Sequence, residues 1–135
     1  MRIEDDFIIR LVKQVVEFIE KLLRNESGAD VEKANQAIEN AYRRLLNMDR
    51  QLFELLDANN IVRMLGDPDR IEATVRVMQA EGDLLRVRGD HAAATSRYRR
   101  ALNILRASSA ISIADDLRRS LLERLQAPKD GVSDN

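Results

Sequence analysis

The sequence predicts an all-α domain of about six to seven helices arranged as antiparallel hairpins. Apolar residues recur at i+3 and i+4 spacing along most of the chain. Only five Gly and two Pro interrupt 135 residues, and aromatic residues make up 4%, so few helix breaks and no sheet are expected. With 44% hydrophobic and 33% charged residues, the chain fits a single helical domain at residues 1–126, followed by a flexible tail at 127–135.

The first two helices are predicted to form an antiparallel hairpin. The first, over residues 4–24, has a wide apolar stripe and opposite charges at i,i+4 spacing on its polar face. The second covers residues 30–48, with Asp30 as a suitable N-cap. Its inward face includes Ala34 and Ala41, whose small side chains allow a neighbouring helix to approach closely.

The middle of the chain is predicted to contain two short helices or one broken helix. Two apolar clusters within residues 49–66 flank a pair of asparagines, which favour a turn. Gly66 suits the position after a helix end. Asp67 followed by Pro68 suits a cap and the first position of the next helix.

Three more helices are expected in the second half. Residues 68–88 carry two apolar stripes and one polar stripe, so this helix should be sandwiched between two neighbours. A turn at Gly89 leads into a helix over residues 91–107. The last helix, over residues 113–126, should end before Pro128.

Small and apolar residues recur at fixed spacing within residues 71–107: Met78, Gly82, Leu85, Gly89, Asp90, Ala94, Tyr98, Ala101 and Leu102. This spacing resembles the tetratricopeptide repeat, a helix pair of about 34 residues. The resemblance implies that the two helices cross at Gly82 and Ala94. Glu81 replaces the large apolar residue that the repeat has before this glycine, a departure expected to matter little for the fold. One regular hairpin is predicted, and a second copy around residues 30–48 stays open.

The whole chain also resembles a small bacterial family of helical proteins with a tetratricopeptide-like core and no assigned function. The features that carry this resemblance are an acidic and apolar start (Asp5, Asp6, Phe7 and Ile8), a long first helix, and Gly89-Asp90 in the second half. It implies a fold and no activity.

The residue types needed for catalysis are scarce. The chain has no Cys, so it offers no thiol nucleophile, disulfide or thiolate metal site. The single histidine, His91, is interpreted as a helix-start residue, because a metal would need three or more carboxylates converging on it. Pairs such as Asp115-Asp116 stand at helix starts, where negative charge favours the helix dipole. We therefore expect no enzyme, no cofactor and no metal.

The resemblance to the repeat points to a partner-binding groove. In such repeats, polar positions of the first helix of each pair line the concave face, and here these are Arg76, Gln79, Asp83 and Arg86. The two arginines are suited to bidentate bonds with a peptide carboxylate. The function that follows is a protein interaction or scaffold module that binds a peptide or protein, the alternative being an ordinary polar stripe.

A second hypothesis rests on the arginine-rich C-terminal half. Between Arg86 and Leu125 nine Arg stand against four acidic residues, and Arg97 and Arg100 are candidates for a basic surface. Such a surface would suit a regulatory binder of an acidic polymer, whether RNA, DNA or an acidic protein. Nucleic acid is the less favoured partner, because the pI is 5.9 and this stretch contains no Lys.

The apolar excess of the first helix favours self-association. A solenoid with at most two repeats needs its ends covered, which a symmetric homodimer would do. The alternative is a monomer capped by residues 49–66 and the last helix. The acidic start lacks the features of a secretory signal and no long uncharged run is present, so we expect a cytoplasmic protein with no membrane partner.

Overall fold

A computed structural model describes residues 3–25, 30–46, 48–108 and 115–126, with side chains from residue 6 onward. In these segments the structure is all-helical without strands, as predicted. The seven helices are α1 (Ile3–Leu23), α2 (Val31–Leu45), α3 (Arg50–Leu55), α4 (Ala58–Leu65), α5 (Pro68–Val87), α6 (His91–Ala107) and α7 (Asp115–Gln126). The predicted tail at 127–135 lies outside the described residues.

Aspartate side chains begin most of the helices. Helices α2 to α6 each follow an aspartate whose carboxylate accepts a hydrogen bond from a backbone N–H in the first turn: Asp30, Asp49, Asp57, Asp67 and Asp90. Each such cap contributes about 1 kcal/mol. The caps predicted at Asp30 and Asp67 are confirmed. Because each cap is an aspartate directly before its own helix, the local sequence explains where most of the helices begin.

The helix ends and the middle segment follow backbone geometry. Gly66, at φ +74°, ends α4, and Gly89, at φ +87°, forms the α5–α6 turn; both lie in the left-handed region that favours glycine. The middle segment forms two short helices rather than one broken helix. Helix α2 ends at Leu45, earlier than predicted, because Leu46 has extended backbone and a buried side chain.

Helix α5 is the centre of the packing. It packs against α1, α2 and α6, which confirms the prediction that it is sandwiched. Helices α1 and α2 form one hairpin, and α5 and α6 form the other. Helices α4 and α7 both pack against α6. None of the described helices is both long and apolar enough to cross a membrane.

The α5–α6 crossing depends on one glycine. The Tyr98 ring lies so close to Gly82 that a Cβ atom added there would be 2.4 Å from a ring carbon. Tyr98 is fully buried, and so is Ala94. The prediction that Gly82 and Ala94 mark the crossing is confirmed, because only small side chains leave room for the tyrosine ring.

Candidate binding groove

An open groove of about 640 Å³ runs between α1 and the first half of α5. Its floor is apolar and comes mainly from α1: Ile8, Ile9, Val12 and Val16, with Ala73 from α5. We call this surface the α1–α5 groove. Ile9 is 55% exposed, so a large apolar side chain on α1 remains in contact with solvent.

The apolar floor arises because α1 has two apolar lines. One, formed by residues such as Leu11 and Val15, is buried in the core. The other contains Ile9, Val16 and Leu23, which are spaced seven residues apart and are all exposed. Seven residues are close to two helical turns, so these side chains lie along one line of the helix. Core packing needs only the first line, and a contiguous exposed apolar line is typical of an interaction surface.

Charged side chains border the α1–α5 groove on both helices. Four are acidic (Glu17, Glu20, Asp69 and Glu72) and two are basic (Lys13 and Arg76). Arg76 Nε donates to Glu72 Oε2 at 3.2 Å. The other carboxylate oxygen of Glu72, Oε1, is buried and accepts no hydrogen bond within the described part of the chain. The groove therefore combines an apolar floor, an acidic border and one unsatisfied buried acceptor.

The four residues predicted to line a partner groove are divided between two environments. Arg76 lies at the border of the α1–α5 groove. Gln79 and Asp83, further along α5, are contacted by α7: Gln79 Nε2 donates to Ser120 Oγ at 2.9 Å, and Arg124 Nε donates to Asp83 Oδ1 at 2.8 Å. The structure therefore does not bring the four together on one open face.

Arg86, the fourth predicted residue, lies at the carboxyl ends of α1 and α5. It lines a smaller cavity of about 230 Å³ together with Leu23, Val87, Asp83 and Arg124. Because Leu23 and Val87 both end their helices, α1 and α5 run in the same direction along their shared face. The role of these four residues in binding a partner stays a prediction, and two of them already have partners in α7.

The two arginines predicted to form a basic surface belong to a partly exposed ion-pair cluster between α2, α3, α5 and α6. We call it the Glu81 cluster; its members are Glu39, Tyr42, Arg50, Glu54, Glu81, Arg97 and Arg100. Arg97 pairs with both Glu54 and Glu81, and its side chain is only 18% exposed. Arg100 donates to the backbone carbonyls of Phe53 and Leu56. Both guanidinium groups therefore have acceptors within this cluster, and Arg100 also lines an open cleft beside α6.

Glu81 itself is the residue whose importance the sequence did not reveal. Its Oε1 accepts from the Tyr42 hydroxyl at 2.6 Å and pairs with Arg97 Nε at 3.1 Å, while its Oε2 pairs with Arg50 Nη2 at 3.0 Å. Burial and Glu81 together raise the pKa of Tyr42 well above its ordinary value, so the hydroxyl remains a donor. The α5–α6 hairpin forms with Glu81 in place of the repeat's apolar residue, and this glutamate also joins Tyr42, Arg50 and Arg97. A charged side chain at an apolar repeat position needs buried partners, and that requirement was the available signal.

His91 is the first residue of α6, the position expected for it. Within the described segments, no three His, Cys, Asp or Glu side chains form a group that could hold a metal ion.

Comparisons with models of protein families, with curated proteins and with solved structures found no match for this chain.

Proposed function

We propose that this protein is a tetratricopeptide-like interaction module, without enzymatic activity, that holds a helical segment of a partner protein in the α1–α5 groove. The observation that carries the proposal is that Ile9 and Val16, from the exposed apolar line on α1, lie beside α5 and form part of the groove floor. Partner helices recognised in grooves present apolar anchors at i, i+3 or i+4, and i+7. The stretch of α1 from Ile8 to Glu20 rises about 18 Å, which is long enough to contact such a set of anchors.

The shape and charge of the groove favour a protein segment over other ligands. The groove is open along two parallel helices, whereas sites for small molecules enclose most of the ligand and aim a few polar groups at it. Its border is acidic, which opposes binding of a nucleic-acid backbone. The hypothesis of an acidic-polymer binder has less support, because Arg97 and Arg100 are paired inside the Glu81 cluster.

The test is a selection of helix-forming peptides from a displayed random library, with the full chain as bait. We expect enriched peptides with apolar anchors at helical spacing. Changing Ile9→Asp should weaken their binding by about tenfold or more, because it places a charge on the groove floor. Ile9 is more than half exposed, so this variant should fold, which circular dichroism will check.

Leu55 supplies the matched control. It is another large apolar side chain, 84% exposed, on α3 and away from the groove. Leu55→Asp should leave peptide binding unchanged. A library that yields no enriched helix, or peptides whose affinity ignores Ile9→Asp, would contradict the proposed function.

A further inference from the structure

We propose that the segment held in the α1–α5 groove is a basic amphipathic helix, whose apolar side contacts α1 and whose Lys or Arg side chains contact the acidic border. This inference rests on the proposed function and adds the charge of the partner to it.

The first observation is the distribution of charge around the groove. Its four acidic and two basic side chains give a net charge of −2, whereas the whole chain carries −1. The acidic residues form one pair on each helix: Glu17 with Glu20 on α1, and Asp69 with Glu72 on α5. Residues three apart lie on the same helix face, so carboxylates flank the apolar floor on both sides. A helix in the groove would therefore have acidic groups along both edges.

The second observation is the unsatisfied oxygen of Glu72. Glu72 borders the groove, its Oε1 is buried, and no hydrogen-bond donor among the described residues reaches that oxygen. Arg76 occupies only Oε2. Buried carboxylate oxygens normally have a donor. The Glu72 side chain is 26% exposed, so a rotation that brings Oε1 to the surface would let it accept a charge-assisted hydrogen bond from an N–H of a partner's Lys or Arg.

Other occupants fit this surface less well. A second copy related by a two-fold axis would bring an identical face, also of net charge −2, against the first. The chain's own residues 127–135 contain Lys129 against Asp130 and Asp134, so they too are acidic. Charge complementarity therefore favours a basic partner over both.

The test uses two designed peptides of about 18 residues that share the same leucine anchors at helical spacing. One peptide has Lys at all the remaining positions, and the other has Glu there. Their affinities for the full chain are measured by fluorescence anisotropy at about 50 mM and about 300 mM salt. We expect the Lys peptide to bind about tenfold tighter at low salt, and this advantage to shrink at high salt.

Two charge-reversed double variants give the decisive comparison. Glu17→Lys with Glu20→Lys should remove or invert the preference for the Lys peptide. Glu32→Lys with Glu123→Lys changes the net charge equally on exposed positions of α2 and α7, outside the groove, and should leave the preference intact.

Each other outcome overturns a defined claim. Equal affinities for the two peptides, both reduced by Ile9→Asp, would reject the basic partner and leave the interaction module standing. Peptide binding that ignores Ile9→Asp would reject both. A preference altered equally by the two double variants would show a general charge effect and reject the basic partner. A dimer by light scattering that Ile9→Asp dissociates would assign the groove to a second copy instead.

Discussion

Glu81 and Asp83, on either side of Gly82, each form a cluster with a tyrosine and arginine side chains. The two clusters use the same residue types but join different helices. Glu81 accepts a hydrogen bond from the buried Tyr42 hydroxyl, and Asp83 accepts one from the buried Tyr98 hydroxyl. Each carboxylate also pairs with arginine. Because the two residues point to opposite sides of α5, the same combination of tyrosine, carboxylate and guanidinium serves two different parts of the molecule.

The Glu81 cluster joins elements that are far apart in sequence. Arg50 alone pairs with Glu39, Glu54 and Glu81, and its guanidinium also lies 3.9 Å from the centre of the Tyr42 ring. These contacts connect the inserted helix α3 to both hairpins. A polar network of this kind stabilises a fold when most of its members are satisfied, and it is costly when one is removed.

The Asp83 cluster is smaller and fastens one helix. Arg124 of α7 pairs with Asp83, and Ser120 of the same helix accepts from Gln79. Only Leu117 and Leu121 of α7 are fully buried. The Glu81 cluster therefore links α2, α3, α5 and α6, whereas the Asp83 cluster links α7 to α5 and α6.

Glu81→Ala should produce the largest loss of stability. It removes the shared acceptor of Tyr42, Arg50 and Arg97, which are all at least partly buried, so we expect the free energy of unfolding to fall by about 3 kcal/mol. Urea unfolding followed by circular dichroism measures this. Glu123→Ala, at an exposed position, is the control and should change stability by less than about 0.5 kcal/mol. Similar losses for both variants would mean that the cluster contributes no stability.

Gly82→Ala should follow, with a loss of about 1–3 kcal/mol from overpacking. Alanine normally stabilises a helix relative to glycine by about 1 kcal/mol, so a net loss here reports the clash with the Tyr98 ring. Combining it with Tyr98→Leu should cost less than the sum of the single changes, because the shared clash is removed. Simple additivity in the same urea experiment would show that the ring and the glycine are not coupled.

Arg124→Ala should have a smaller and local effect. We expect a loss of about 1–2 kcal/mol, because Asp83 loses its charged partner while the core stays packed. Hydrogen exchange should become faster in α7 and remain unchanged in α5. Arg119→Ala, on the same helix with a 72% exposed side chain, is the control. Equal acceleration of exchange in α5 and α7 would show that α7 is not a separable part.

Glu54→Gln should give the smallest effect, and one that depends on pH. Burial alone raises the pKa of Glu54, but Arg97 and Arg50 lower it below its ordinary value of 4.5. A lowered folded-state pKa stabilises the fold above pH 4.5, and this contribution disappears as the pH falls through the lowered value. The variant should therefore lose less than about 1 kcal/mol at neutral pH, and progressively less as the pH falls below 4.5. A difference that persists in acid would assign the effect to packing.

Much of the fold was readable from local sequence. The caps at Asp30 and Asp67 and the helix end at Gly66 each depend on one or two residues and their immediate neighbours. The crossing at Gly82 was implied by the resemblance to the tetratricopeptide repeat. The candidate site was harder to predict from the sequence. Arg76 borders an open groove, but nothing local indicated that α1 forms its floor or that α7 contacts Gln79. Contacts between distant helices depend on how the chain folds back, which periodicity does not record.

The sequence by itself determined that this protein is all-helical, where most of its helices begin and end, and that Gly82 and Ala94 lie where α5 and α6 cross. Those features follow from backbone capping, side-chain size and helical periodicity, which act over a few residues. Only the tertiary structure decided that Glu81 forms a mostly buried ion pair with Arg97 and that Ile9 remains exposed beside α5. The physical reason is that a charge or an apolar side chain is buried or left open according to what a distant helix places against it.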